Sequence, residues 1–249
     1  MDTHKKFVVL ISANAEWRVV RNIFPGSETK SSPYGEWFSK QYGELSELHN
    51  PVIFIHGGWG KVAAAASTQY VIDRWMPKLI INVGTCGGFE GEVNRGEILL
   101  VEKTIIYDIL EQMGDPDDHI RHYITKIDTA WIAQPLPIPV RRSLLVSGDR
   151  DLFSNEIPEL KAKYGAIAGD WESGAIAWVS HKNHIQCLIL RGVTDLVGEN
   201  GGEAYGENVN IYYENTAQVM RVLLDSLPGW LLKYSDDITN REIIESDTQ

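Results

Sequence analysis

Ile185-Gln186-Cys187-Leu188-Ile189-Leu190-Arg191-Gly192-Val193-Thr194-Asp195-Leu196-Val197-Gly198 begins as an apolar run and turns charged and polar at Arg191. The run has the length and unbroken apolarity of a strand buried on both faces, as parallel sheets use. On this reading the strand ends at Arg191 and delivers a polar cluster to its carboxyl end, the edge where open α/β sheets hold ligands. A carboxyl group set there beside Val193 and Leu196 can have its pKa raised until it serves as a proton donor. Asp195 is thus a candidate catalytic acid. Taken by itself, the segment fits a strand-end Asp capping the next turn better.

Working outward, the same grammar recurs. Phe7–Ile11 is a fully apolar strand that breaks into Ser12-Ala13-Asn14-Ala15-Glu16 and a helix through Ile23. Residues 25–45 read as turns with short antiparallel strands. Strands at 52–55 and 79–83 end in the glycine-rich stretches Gly57-Gly58-Trp59-Gly60 and Gly84-Thr85-Cys86-Gly87-Gly88. An alanine-rich helix, Lys61 to Arg74, lies between them and is closed by Pro77. A strand follows at 98–101, and residues 111–128 carry no secure assignment. After a Pro-rich stretch come Ser143–Asp149, a small-residue helix from Gly174 to His181, and an amphipathic helix from about Asn210 to Leu224. Strands alternate with helices throughout and no composition break marks a linker. The expected fold is therefore α/β: a single domain over residues 1–249, with a central mixed, twisted sheet flanked by helices and an acidic tail from about 235.

Composition narrows the function. The net charge of −11 argues against nucleic acid and anionic membrane as partners. The five-residue apolar run behind Met1–Lys6 is too short for a signal peptide's core, so none is expected there, and no run approaches the length of a membrane span. Cys86 and Cys187 read as reduced, buried thiols, so the protein is expected to be soluble and cytoplasmic. Neither glycine stretch is a dinucleotide fingerprint or a phosphate loop, and Gly60-Lys61-Val62 lacks the hydroxyl that binds magnesium. The pairs His119/His122 and His181/His184 have helix-face spacing but no third ligand, so no metal is expected.

The carboxylates are better placed. Glu16 follows the first strand, Glu172 opens a helix and Asp195 follows a late strand, so parallel strands would converge all three at one sheet edge. Arg191 could bridge Glu16 and Glu172 and keep both ionised. Helix capping for Glu172 and a surface first-turn position for Glu16 are the alternatives. Trp17, Trp59 and Trp171 supply aromatic surface nearby.

Gly60-Lys61-Val62-Ala63-Ala64-Ala65, Leu79 to Phe89, Ser147-Gly148-Asp149, Asp170-Trp171-Glu172-Ser173-Gly174-Ala175 and Arg191-Gly192-Val193-Thr194-Asp195 occur in one order over residues 7–225. In that order they resemble the nucleoside phosphorylase/nucleosidase superfamily, nearest to its 5′-methylthioadenosine/S-adenosylhomocysteine nucleosidase branch. The resemblance implies hydrolysis of a purine nucleoside, with Asp195 protonating N7 of the base and Glu16 activating the attacking water. It implies that Glu172 binds the ribose hydroxyls, that Arg191 orients the Glu16–Glu172 pair, and that Thr85 with its neighbours Cys86 and Gly87 lines the ribose and water site. Asp151, the backbone of Leu152, and Thr194 would frame the base, and Trp171 would stand where the family has a Met against the ribose. No cofactor is implied. A homodimer is, with residues around Ile105 to Met113 reaching the partner's pocket.

The resemblance also bears on phosphate. Related hexameric phosphorylases place a phosphate-binding Arg two residues before the first glycine of the Gly84 stretch, and here that residue is the neutral Asn82. Hydrolysis is expected over phosphorolysis; a non-catalytic nucleoside binder is the third reading. Three departures bear on specificity: Asp151 replaces an aromatic that stacks on the base, Trp171 replaces Met, and Tyr107-Asp108 replaces a His-Asp pair.

Overall fold

Two long strands, β5 (Leu79–Phe89) and β10 (Gln186–Gly198), run side by side in parallel and organise everything else. The computed structural model describes residues 6–42 and 51–247. Along one edge of β10 lies β5; along the other lie β6 (Ile98–Ile106), antiparallel, and the short β11 (Gly201–Gly202). The second edge of β5 is shared. Its first half pairs in parallel with β1 (Phe7–Ile11) and its last residues pair antiparallel with β9 (Ala168–Asp170). Because β9 joins β8 (Arg141–Ser147), and β8 joins β6, strands β5, β10, β6, β8 and β9 close a ring. Beyond β1 the sheet opens out through β4 (Val52–His56), β3 (Glu36–Lys40) and β2 (Lys30–Ser31), and β7 (Ile124–Lys126) pairs with β6.

Helices cover both faces, as the sequence led one to expect. On one face α1 (Asn14–Ile23) and α6 (Val209–Asp247) bury Trp17, Val20, Leu223, Leu227 and Trp230 against Phe7, Val9 and Ile81. On the other, α2 (Lys61–Trp75) and α5 (Ser173–Lys182) bury Val71, Ile72, Ile176 and Val179 against Val8, Leu10, Ile80 and Ile189. The strict in-and-out alternation of β1 and β5 divides their apolar residues between two cores. Two short helices, α3 (Pro116–His122) and α4 (Ile157–Tyr164), complete the chain order.

Three expectations need correcting. The strand carrying Arg191 does not stop there; β10 continues to Gly198, with an irregularity between Val193 and Asp195. Likewise Gly84–Gly88 is not a loop but the second half of β5. In a closed ring each polar residue meets a small partner across the ladder, Arg191 facing Gly84 and Asp195 facing Gly87, so polarity no longer ends the strand. The final helix is also far longer than 210–224, running to Asp247 through Pro228, which takes in most of the expected acidic tail. Residues 1–5, 43–45 and 248–249, on which parts of those readings fall, lie outside the described residues.

Candidate active site

The site forms where β5 exchanges one neighbour for another. β1 is paired with β5 only as far as Asn82, and β9 takes over at Gly87. The ladder edge between them is open, and the carboxylate of Glu16 fills it. Oε1 accepts from the Thr85 backbone N–H at 2.6 Å and from the Thr85 hydroxyl at 2.8 Å, while Oε2 accepts from the Ala13 N–H at 3.1 Å. Gly84 is needed here, since a Cβ on it would stand 2.8 Å from Glu16 Oε1. Burial lifts the Glu16 pKa above the ordinary carboxylate value, against the opposing pull of the Arg191 charge and these donors. The surface alternative for Glu16 is thereby excluded, because the residue is buried.

Glu172 is buried and accepts the Gly60 N–H on Oε1 at 2.9 Å. Burial, then the charges of Asp170 and Glu16, push its pKa up to about 8. The helix-capping reading fails for the Glu172 side chain at its own helix: Glu172 is the N-cap residue of α5, but its carboxylate accepts from Gly60 at the start of α2 and makes no cap bond at α5. That work is done by Asp170, which accepts from the Ser173 N–H and hydroxyl and from Ser147 Oγ at 2.7 Å.

Arg191 departs from its expected role. It does not bridge Glu16 and Glu172. Its Nε donates to Asp170 Oδ2 at 2.8 Å, Nη2 donates to Asn82 Oδ1, and Nη1 donates to the Leu190 carbonyl at 3.1 Å. The residue is 1% exposed, and a guanidinium so deep requires a buried counter-ion, which is Asp170 rather than either glutamate. Its effect on Glu16 and Glu172 is that of a nearby charge only. It does not hold Glu172 ionised, whose pKa burial carries to about 8.

Asp195 lies further along β10. Its Oδ1 accepts from the Thr194 hydroxyl at 2.7 Å, and Thr194 Oγ1 also lies 3.3 Å from the Cys86 carbonyl. Burial raises the Asp195 pKa, Thr194 works against that, and the charges of Glu203 and Asp151 add to it. Gly87 is closely packed on this side: a Cβ there would stand 3.3 Å from Leu152 Cδ1, 3.8 Å from Val197 Cγ2 and 3.9 Å from Asp195 Oδ2. Leu152 is buried, and its carbonyl already accepts from the Tyr205 hydroxyl at 3.0 Å. Asp151 is exposed. Cys86 contributes backbone only, for its sulfur turns into the apolar layer towards the Gly192 carbonyl. Trp171 stacks on Trp59, ring centroids 5.6 Å apart.

Two participants were missed. Asp170 organises Arg191, and no sequence signal separates it from any other acid near a helix start. Tyr212, from α6, stands beside Thr85 with Glu16 and Glu172 near enough to raise its pKa after burial has done so.

The matching family model is that of the phosphorylase superfamily, over residues 13–227. The chain belongs to the phosphorylase superfamily. Among similar proteins, the 5′-methylthioadenosine/S-adenosylhomocysteine nucleosidase of Buchnera aphidicola is 29% identical over 187 residues, covering 71% of this chain and 81% of that protein. The enzyme of the same name from Tolumonas auensis is 23% identical over 251 residues, covering 89% and 100%. In fold, the chain is similar to the Helicobacter pylori nucleosidase of that name solved with butyl-thio-DADMe-Immucillin-A (TM-score 0.73, 16% identity, 91% of this chain and 99% of that one). It is equally similar to the futalosine hydrolase of Helicobacter pylori (TM-score 0.73, 16% identity, 92% and 99%). This superfamily member has the buried carboxylate of Glu16 at the edge switch of its central sheet.

Proposed function

We propose that this superfamily member hydrolyses the N-glycosidic bond of a purine nucleoside, 5′-methylthioadenosine or S-adenosylhomocysteine, releasing adenine and the 5-substituted ribose. The observation that carries the reading is the set of three buried carboxylates, Glu16, Glu172 and Asp195, each with its pKa raised. Departure of a purine leaves positive charge on the sugar, so the reaction needs an acid at the base and anionic or dipolar groups beside the ribose. Asp195, buried on the side of Gly87 and Leu152, would deliver its proton to N7. Glu16 would take a proton from the attacking water, and burial makes it a stronger base than an exposed carboxylate. Glu172 would bind the ribose hydroxyls. The two relatives named above support the choice of nucleoside.

Phosphate is a poor co-substrate for such a site. Asn82 is buried, its amide donating to the Leu10 carbonyl at 2.8 Å and its oxygen accepting from Arg191. Arg191 is itself engaged by protein acceptors, and Lys61 is paired with Asp108. Water meets no such difficulty. Incubation with methylthioadenosine, with and without phosphate, tests the choice: free methylthioribose in both cases supports hydrolysis, and a phosphate-dependent sugar 1-phosphate refutes it.

The protein works, on this reading, as a cytoplasmic homodimer without a cofactor. Its two thiols, Cys86 and Cys187, are unpaired and buried, and among the described residues no helix is long and apolar enough to cross a membrane. Ile105 and Tyr107 are buried in their own chain, so on this reading the donor is the exposed end of the segment. There Leu110 and Met113 are 86% and 81% exposed, an apolar pair that a second copy would cover.

A further inference from the structure

Three segments close a ring beside Glu172. The Gly60 N–H donates to Glu172 Oε1 at 2.9 Å, and the next N–H, that of Lys61, donates to Asp149 Oδ1 at 2.6 Å. The Lys61 ammonium is ion-paired with Asp108, whose other oxygen accepts from the Asp149 N–H at 2.8 Å. The start of α2, the residue pair following β6 and the turn after β8 are thus tied together. An isolated ion pair at the surface contributes little. This one is largely shielded, with side chains 20% and 12% exposed, and it is linked through backbone donors on both sides.

The ring matters because the Gly57–Gly60 turn is otherwise pliable. Gly58 and Gly60 have φ of +79° and +84°, which glycine alone adopts freely. The first amides of a helix have no partner within it and will turn to any acceptor within reach. With Asp149 taking the Lys61 amide, the Gly60 amide is left aimed at Glu172. The same turn carries Trp59, 61% exposed, on to the ring of Trp171.

We propose that Asp149, with Lys61 and Asp108, is a positioning device for Glu172. It holds the Gly60 amide on the carboxylate, and so sets the geometry in which Glu172 receives the sugar. The inference rests on the reading of Glu172 as the group that binds the ribose hydroxyls. Asp149 does not itself touch Glu172.

The experiment compares Asp149→Ala, Asp149→Asn and Lys61→Met on methylthioadenosine and on its 2′,3′-dideoxy counterpart. Asn keeps an oxygen for the Lys61 amide; Ala does not. Asp149→Ala and Lys61→Met are expected to lose roughly tenfold in kcat/KM on the ribonucleoside, chiefly through KM. On the dideoxy compound the loss shrinks to less than about twofold, and Asp149→Asn recovers most of the activity on both. Equal losses on both substrates, or an unaffected Asp149→Ala, would overturn the proposal. Amide exchange at Gly60 in the free protein reads the ring without any substrate. It should accelerate in Asp149→Ala and not in Asp149→Asn, and unchanged exchange also overturns the proposal. If wild-type protein releases no base from any nucleoside, the nucleosidase reading fails while the exchange result still decides whether the ring holds Gly60.

Discussion

The hydroxyl of Thr194 donates to Oδ1 of Asp195 at 2.7 Å, which leaves Oδ2, on the side of Gly87, as the oxygen free of that bond. A hydrogen bond to a carboxylate favours its charged form, so Thr194 restrains the upward shift that burial gives Asp195. Thr194 therefore assigns the proton to Oδ2 and tunes the pH at which it is lost. Replacing Thr194 by Val removes the donor and keeps the shape. The Asp195 pKa then rises, the acid stays protonated to higher pH, and the alkaline limb of kcat/KM against pH should move upward. A limb that stays put or moves to lower pH would show that Asp195 is not the group titrating there.

Glu172 makes the fold sensitive to alkali. Its pKa of about 8 lies above the unfolded value of 4.5, so its contribution to stability is intact at low pH and is lost as pH rises towards 8. Glu172→Gln keeps the oxygen that accepts from Gly60 and removes the titration. The variant should melt higher than wild type at pH 8.5, by the equivalent of about 1–4 kcal/mol, and differ little at pH 5. Thermal unfolding at the two pH values checks this. The opposite order, with wild type the more stable at pH 8.5, would mean that Glu172 is ionised and well solvated in the free protein.

Asn82→Arg, the change that would imitate a phosphate-binding position, should fail to create a phosphorylase. Asn82 is fully buried between Leu10 and Arg191, so the variant would force a second guanidinium beside the first. An uncompensated buried charge costs about 3–5 kcal/mol, and the expected outcome is a lowered Tm with no phosphate-dependent activity. Phosphorolysis by a stably folded Asn82→Arg protein would contradict this placement.

Much of this arrangement could be read from the chain. Glu16, Glu172 and Asp195 each stand next to an unambiguous strand or helix signal, and the topology brings Glu16 and Glu172 to the open edge of β5 and Asp195 to the Gly87–Leu152 side. What could not be read depends on contacts between distant segments. The extension of β5 beyond Val83 and of β10 beyond Leu190 follows from ring closure, which pairs Arg191 with Gly84 and Asp195 with Gly87. Local patterning sees only an apolar run ending. The partner of Arg191 is not legible locally because Asp170 and Glu172 lie two residues apart, and only the end of β9 at Asp170, with the chain turning into α5 after it, decides which of them meets the guanidinium. Tyr212 sits in a helix whose polar face gave no hint that part of it meets Thr85.

The central claim is that Asp195 protonates the leaving base, and it is tested most directly by adenine release from methylthioadenosine in Asp195→Asn. Asn fills the same space and can still accept the Thr194 hydroxyl, so folding and binding should survive while kcat falls by about 10²–10⁴-fold. A folded Asp195→Asn protein that releases adenine at a near wild-type rate would contradict the account.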